Sequence, residues 1–457
     1  MVVQAQTASR GRMDLTPAPV HDCPHVVIVG GGFGGLACAQ ALGSKRVRVT
    51  IIDRHNYHLF VPLLYQVATA ALSPADIAEP IRKVLRRHDN VDVVMGEVSG
   101  IDVASRRVLV GSDGYIPYDR LVLATGSVYN YFGNQRWASV APGLKTVADA
   151  RRIRASVLRG LERAELTKDP DEQQPHMTSV IVGGGATGVE MAGAIAELTR
   201  CSLHRDFRNI DPTTARTILL EAGERILTPF PEELARYAHR RLEKMGVSVR
   251  VQSPVENISP GTVTVAGEVI PACTIVWAAG IRASPAASWL DVESDRLGRV
   301  PVDATLAVEG RPGVFAIGDT AAAADEDGRP LPGLAQVARQ QGTYLGQALA
   351  AELESGTALP PFRFRSRGNA AVVGRSAALF DFGGHRLKGW IAWILWALVH
   401  VYLLVGFEKR LLVSIQWFWQ WLTYQSGVRI ISDEEVCETD AVEAAASNAD
   451  DDGRGSR

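Results

Sequence analysis

Short runs of apolar residues, separated by glycine clusters and by stretches that mix charge with hydrophobicity, recur along this chain. Residues 26–29, 47–52, 118–124, 179–182, 217–220 and 274–278 are rich in β-branched and aliphatic side chains with few polar interruptions. That is the pattern of strands buried on both faces of a parallel sheet. Residues 91–98 and 107–110 alternate as antiparallel strands do, with a turn at 111–115, and residues 247–251 and 262–265 continue the strand pattern. A charged helix is predicted over residues 146–166, followed by the breaker-rich stretch 169–175. A second long helix is predicted from Pro332, where PGLAQVARQQGTYLGQALAAEL opens with a proline. Residues 54–77 have no clean period, and composition alone leaves open whether they only cover a core.

Two of the apolar runs meet glycines in a way that carries chemistry. Residues 25–35, HVVIVGGGFGG, set Gly30, Gly32 and Gly35 in GxGxxG spacing where a strand should give way to a helix. Gly30 permits the tight turn, Gly32 lets the backbone approach phosphates, and Gly35 lets helix and strand pack closely, so a pyrophosphate faces the positive helix end. The next strand ends in Asp53, where a carboxylate would accept hydrogen bonds from a ribose. The device repeats at Gly183, Gly185 and Gly188, and there the following strand ends in Glu221. Glu221 lies farther along than Asp53 does in the first unit, which predicts a longer helix or an insertion between Glu197 and Arg216. Two such units imply an α/β chain with two Rossmann-like dinucleotide-binding domains.

Ala124-Thr125-Gly126 ends the last strand of the first unit, and Ala279-Gly280 is its counterpart in the second. Glu221 suits the free 2′-hydroxyl of NADH and repels the 2′-phosphate of NADPH, with Arg225 near enough in sequence to soften that preference. Residues 313–319, GVFAIGD, bring the chain back to the first domain; Asp319 stands where a ribitol hydroxyl could be held, although an ordinary strand and turn would read the same. Gln336 and Gln340 are four apart and share a helix face, as solvated glutamines also do.

Length and composition narrow the classes. A chain of 457 residues with 46% hydrophobic and 21% charged residues reads as two or three globular domains. A formal charge of −2 gives no reason to expect nucleic acid. The five cysteines, Cys23, Cys38, Cys201, Cys273 and Cys437, show no CxxC spacing, which argues against a disulfide scaffold or redox dithiol and fits a reducing cytosolic face. No His/Cys cluster suggests a metal. Residues 1–22 and 433–457 read as a disordered arm and tail. Residues 389–406 carry no formal charge unless His400 is protonated, Glu408-Lys409-Arg410 interrupts, and a second apolar stretch with Trp417, Trp419 and Trp421 follows. With Trp390, Trp393 and Trp396 in the first stretch, helices lying in a membrane surface are favoured over a spanning hairpin. A buried dimer interface is the competing reading.

These residues together resemble the type II NADH:quinone oxidoreductases, single-subunit respiratory dehydrogenases that do not pump protons, over roughly residues 24–432. The resemblance is carried by Asn56-x-His58-x-Phe60-x-Pro62-Leu63-Leu64 with Val67-Ala68-Thr69, by Gly188-Val189-Glu190, by Ala335-Gln336-Val337-Ala338-x-Gln340, and by the tryptophan-rich C-terminus. It implies that residues 23–145 and 304–375 form a discontinuous FAD domain, residues 146–303 an NADH domain, and residues 376–432 a membrane-binding helical region. FAD would be held by Gly30, Gly32, Phe33, Gly34, Gly35, Asp53, Arg54, Val98, Ala124, Thr125, Gly126, Gly318, Asp319 and Ala335. NADH would be held by Gly183, Gly185, Gly188, Glu221, Ala279 and Gly280. Glu190 would orient the nicotinamide or relay protons, with Gln336 and Gln340 bordering the quinone. The resemblance further implies a menaquinone or ubiquinone as acceptor and a homodimer, peripheral on the cytoplasmic face of the inner membrane. Competing readings are a sulfide:quinone oxidoreductase, which needs cysteines flanking the flavin, and an NADH-sensing flavoprotein whose output is binding.

Overall fold

A computed structural model describes residues 13–16, 23–404, 407–423 and 427–431. The expected disordered arm, apart from Met13–Asp14 and the two residues after it, and the expected tail lie outside the described residues. The chain divides into two compact units, one made of residues up to Leu59, Glu79–Val128 and Ile281–Ser366, the other of Phe60–Ala78, Tyr129–Gly280 and the residues from Arg367 onward.

The first unit is built on a five-stranded parallel sheet in the order Val314–Ala316, Arg120–Leu123, His25–Val29, Arg48–Asp53, Val91–Met95. His25–Val29 is buried along its whole length, which is why it reads as an unbroken apolar run. Val91–Met95, expected to be antiparallel, is the parallel edge strand: its alternation reflects an edge half open to solvent. The antiparallel sheet starts only at Val98–Asp102 and continues through Arg107–Val110 and Gly114–Pro117, with Met13–Asp14 paired in parallel on its far edge. Helix Phe33–Leu42 leaves the first glycine turn. Ala335–Ser355 lies against it, and two glycines allow the approach: a Cβ at Gly342 would come within 2.0 Å of the Gly34 carbonyl oxygen, and one at Gly346 within 2.7 Å of the Cys38 oxygen. This long helix begins at Ala335 instead of at Pro332, with Leu334 as its N-cap.

The second unit repeats the plan with four parallel strands in the order Val247–Arg250, Arg216–Leu220, Thr178–Val182, Thr274–Trp277. Helix Ala186–Glu197 leaves its glycine turn, and the expected insertion is a π-turn at Leu198–Ser202 and a 3₁₀ turn at Pro212–Thr214. The charged helix is Val147–Leu166, opened by a capping box in which Thr146 and Asp149 satisfy each other's backbone N–H groups. A hairpin of Ala378–Phe382 and His385–Gly389 leads into helices Trp390–Leu403 and Phe407–Thr423. Among the described residues, no helix is long and apolar enough to cross a membrane.

Candidate active site

Both glycine turns have the geometry that a dinucleotide phosphate requires, and each closes in the same way. Gly30 has φ +106°, and a Cβ there would sit 2.3 Å from the Ala124 oxygen; a Cβ at Gly35 would sit 1.8 Å from the Gly30 oxygen. In the second unit Gly183 has φ +109° and the corresponding approach at Gly188 is again 1.8 Å, to the Gly183 oxygen. Gly32 and Gly185 are the helix N-caps, and a Cβ on either would meet nothing within 4 Å. Those open faces leave room in which a pyrophosphate could meet the helix N-terminus.

The two strand-end carboxylates are locked by the turns they serve. Gly31 N–H donates to Asp53 Oδ2 at 2.6 Å and His55 N–H to Oδ1 at 2.7 Å. Gly184 N–H donates to Glu221 Oε2 at 2.6 Å and Gly223 N–H to Oε1 at 2.7 Å. Held this way, each carboxylate has little freedom to turn and keeps lone pairs that could accept from ribose hydroxyls. Arg225, whose charge could have welcomed a 2′-phosphate, donates instead to the backbone oxygens of Leu227, Thr228 and Phe230.

Around the first turn, further polar groups converge. Ser127 Oγ donates to Asp319 Oδ2 at 2.5 Å, Gly126 N–H donates to Thr320 Oγ1 at 2.9 Å, and Thr125 Oγ1 lies 2.5 Å from Ser284 Oγ. Gly318 N–H donates at 2.6 Å to Oε1 of Gln341, a fully buried amide on Ala335–Ser355. Gln341 carries no motif in the sequence, and only its helical phase distinguishes it from Gln340 beside it. Ser127, Gly318, Asp319, Gly333 and Gln341 line one recess.

Other expected residues are placed less directly. The Phe33 ring meets His58 edge-on, with 5.1 Å between centroids. Gly34 faces Ile317 and the Ala338 backbone, Arg54 is exposed, and Val98 is buried in the antiparallel sheet. Ala335 begins the long helix, and Gln336 is half-buried one position on. Gln340 is tied down: its Nε2 donates to the Arg365 oxygen at 3.0 Å, and Arg365 N–H donates to its Oε1 at 3.1 Å.

In the second unit Glu190 follows Gly188 on helix Ala186–Glu197. Val372 N–H donates to its Oε1 at 3.3 Å, and burial pushes its pKa up to about 8. Glu197, farther along the helix, is also pushed up by burial. Tyr65, whose own acidity burial and the Glu190 charge suppress, accepts a hydrogen bond from Gln66 Nε2 at 2.9 Å. Gln66 Oε1 in turn accepts from Trp417 Nε1 at 2.7 Å, and Trp417 stacks on Trp396, which stacks on His400 at 4.2 Å. Burial holds His400 down to about 4. Tyr65, Gln66 and Trp417 carry no motif of their own, and 351 positions separate the two that touch.

Comparison with known proteins places this arrangement. Residues 24–342 match the pyridine nucleotide-disulphide oxidoreductase family. A type II NADH:quinone oxidoreductase of Mycobacterium tuberculosis is 39% identical over 93% of this chain and 94% of its own length. The chain belongs to the type II NADH:quinone oxidoreductase family. A second member from the same organism is 39% identical over 88% of both chains. In fold the chain is similar to NDH2 of Plasmodium falciparum in complex with NADH, with a TM-score of 0.81 at 19% identity over 87% of this chain and 98% of that one. A sulfide:quinone oxidoreductase of Aquifex aeolicus is a more distant match, at TM-score 0.64 and 18% identity over 85% and 92%.

Proposed function

We propose that this chain carries two electrons from NADH to a membrane quinone through bound FAD, without pumping protons. The observation that bears most of the weight is the pair of glycine turns, one per unit, each closed by its own strand-end carboxylate. FAD, when bound, supplies the carrier that accepts electrons from a hydride donor and passes them to a quinone. Gly30, Gly32, Gly35, Asp53 and Asp319 would hold it, and Gly183, Gly185, Gly188 and Glu221 would hold NADH. Glu190 keeps a proton at neutral pH on the carboxyl oxygen that Val372 does not engage, available where a reduced product needs one. Gln336 offers an amide beside a quinone, and Gln340 braces the segment at Arg365.

The quinone, menaquinone or ubiquinone, would arrive from a lipid surface on which the C-terminal helices lie. Trp390, Ile394, Leu398 and Tyr402 recur every four residues on one helix, and Leu411, Ile415, Phe418 and Leu422 lie on the other, all exposed. These stripes support a peripheral protein on a membrane surface, and we take that surface to be the cytoplasmic face of the inner membrane. A homodimer belongs to the same reading. Against a sulfur-carrying site, Cys38 is fully buried with its thiol pushed up to about 12, and among the described residues Cys23, Cys38, Cys201 and Cys273 form no disulfide with one another.

Anaerobic titration of the flavin spectrum tests the proposal. NADH should bleach it and a soluble quinone should restore it. Bleaching without recovery would remove the quinone from the reading, and turnover below about one per second would favour the sensor.

A further inference from the structure

Among the described residues, Phe132 is the only aromatic side chain on a backbone of positive φ, at 49°. The left-handed region is disfavoured for a residue of this size, and such a conformation persists only where the surroundings over-determine it. Here they do. Asn130 Oδ1 accepts the Phe132 N–H at 2.9 Å, Asn130 N–H donates to the Gly280 oxygen at 3.1 Å, and Trp277 Nε1 donates to the Asn130 oxygen at 3.0 Å. The result is an apolar ring that remains 63% exposed yet sits on the Ala279–Gly280 turn, where a Cβ on Gly280 would come within 2.8 Å of its Cζ. One edge of the ring meets Trp277, with 6.2 Å between centroids, but that contact leaves most of the ring open to water at a backbone cost.

Its place in the sheet suggests what the ring is for. Thr178–Val182, which leads into the phosphate turn, has Arg216–Leu220 on one side and Thr274–Trp277 on the other. Glu221, at the end of the first neighbour, marks the adenosine half of a dinucleotide laid across the strand ends. The nicotinamide half therefore falls on the side of Thr274–Trp277, whose end carries Gly280 and, above it, Phe132. Aromatic faces offer packing to a planar ring whatever its charge. We propose that Phe132 is the apolar platform against which the nicotinamide ring of NADH packs, so that it contributes to affinity for the nicotinamide half alone.

This inference rests on the NADH reading above, and the test separates the two. Calorimetry on the oxidised, FAD-loaded full chain would compare NAD⁺ with ADP-ribose, which lacks the nicotinamide. Phe132→Gly removes the ring at a φ that glycine adopts freely, so it should fold at least as well as the parent. The expected result is NAD⁺ binding weakened about tenfold, the scale of one aromatic contact, ADP-ribose binding within twofold, and affinity retained in Phe132→Tyr. Equal weakening of both ligands, or no change in either, would overturn the proposal by reducing Phe132 to a support for the turn. If neither ligand binds the parent enzyme, the NADH reading itself fails, and Phe132 with it.

Discussion

Glu190 keeps its proton across a pH range in which an exposed glutamate would lose it, because burial raises its pKa from 4.5 to about 8. Between those values the folded chain holds a proton that the unfolded chain has released, so stability falls as pH rises through that window and levels off above about pH 8. Glu190→Gln should remove this share of the slope, on the order of a few kcal/mol, leaving the same-direction share of Glu197. Urea unfolding from pH 5 to 9 measures it; an unchanged slope would mean that the side chain is already ionised in the native state. Glu221 gives a second expectation. With Arg225 committed to three backbone oxygens, its guanidinium does not offset the Glu221 charge against a 2′-phosphate. NADPH should be used less efficiently by roughly tenfold or more, and Glu221→Gln should narrow the gap; steady-state kcat/KM values for both cofactors decide.

At the scale of elements, the packing of Ala335–Ser355 on Phe33–Leu42 depends on a spacing that sequence shows but does not explain. Gly342 and Gly346 are one turn apart and face the backbone at Gly34 and Cys38. Gly342→Ala should cost about 1–3 kcal/mol by forcing the helices apart and should lower FAD occupancy, whereas Gln347→Ala on the exposed face should change little. Thermal unfolding followed by flavin fluorescence checks both. The same helix divides the two glutamines that periodicity had paired. Gln336→Leu should slow flavin reoxidation by quinone and leave reduction by NADH near normal, because a donor to a quinone oxygen acts only in the second half-reaction. Gln340→Leu should instead loosen the segment it clamps at Arg365, seen as faster amide exchange there. If stopped-flow shows Gln336→Leu slowing reduction alone, the quinone assignment of this face is wrong. The glycine turns were legible because backbone geometry restricts which residues can stand there, whereas an amide's partner depends on which way its helix face turns.

For the molecule as a whole, the C-terminal helices present two kinds of surface. Trp396 and Trp417 stack on one another and Trp417 donates to Gln66, while Leu398 and Ile415 face out at 65% and 56% exposure. Removing the helices outright would therefore strip partners from Gln66 as well as any lipid contact. Leu398→Glu with Ile415→Glu is the cleaner change, since a charge on an exposed face costs the fold little but opposes insertion into an interface. The double variant should fail to sediment with vesicles of bacterial polar lipid while turning over a water-soluble quinone as before. Undiminished sedimentation would place the lipid contact elsewhere.

The sequence by itself determined the two nucleotide-type units, their helix-opening glycines and the acidic ends of their second strands. Each of these follows from local rules, since a turn needing positive φ admits few residues and a strand buried on both faces must be apolar throughout. It also marked out the tryptophan-rich end and residues 56–69 as a motif. Only the tertiary structure decided that Val91–Met95 joins the parallel sheet, that Gln341 supports Gly318, and that Gln66 is the residue that Trp417 meets. Those outcomes depend on contacts between positions far apart in the chain, where no periodicity records which surfaces will face each other or how much water they will exclude.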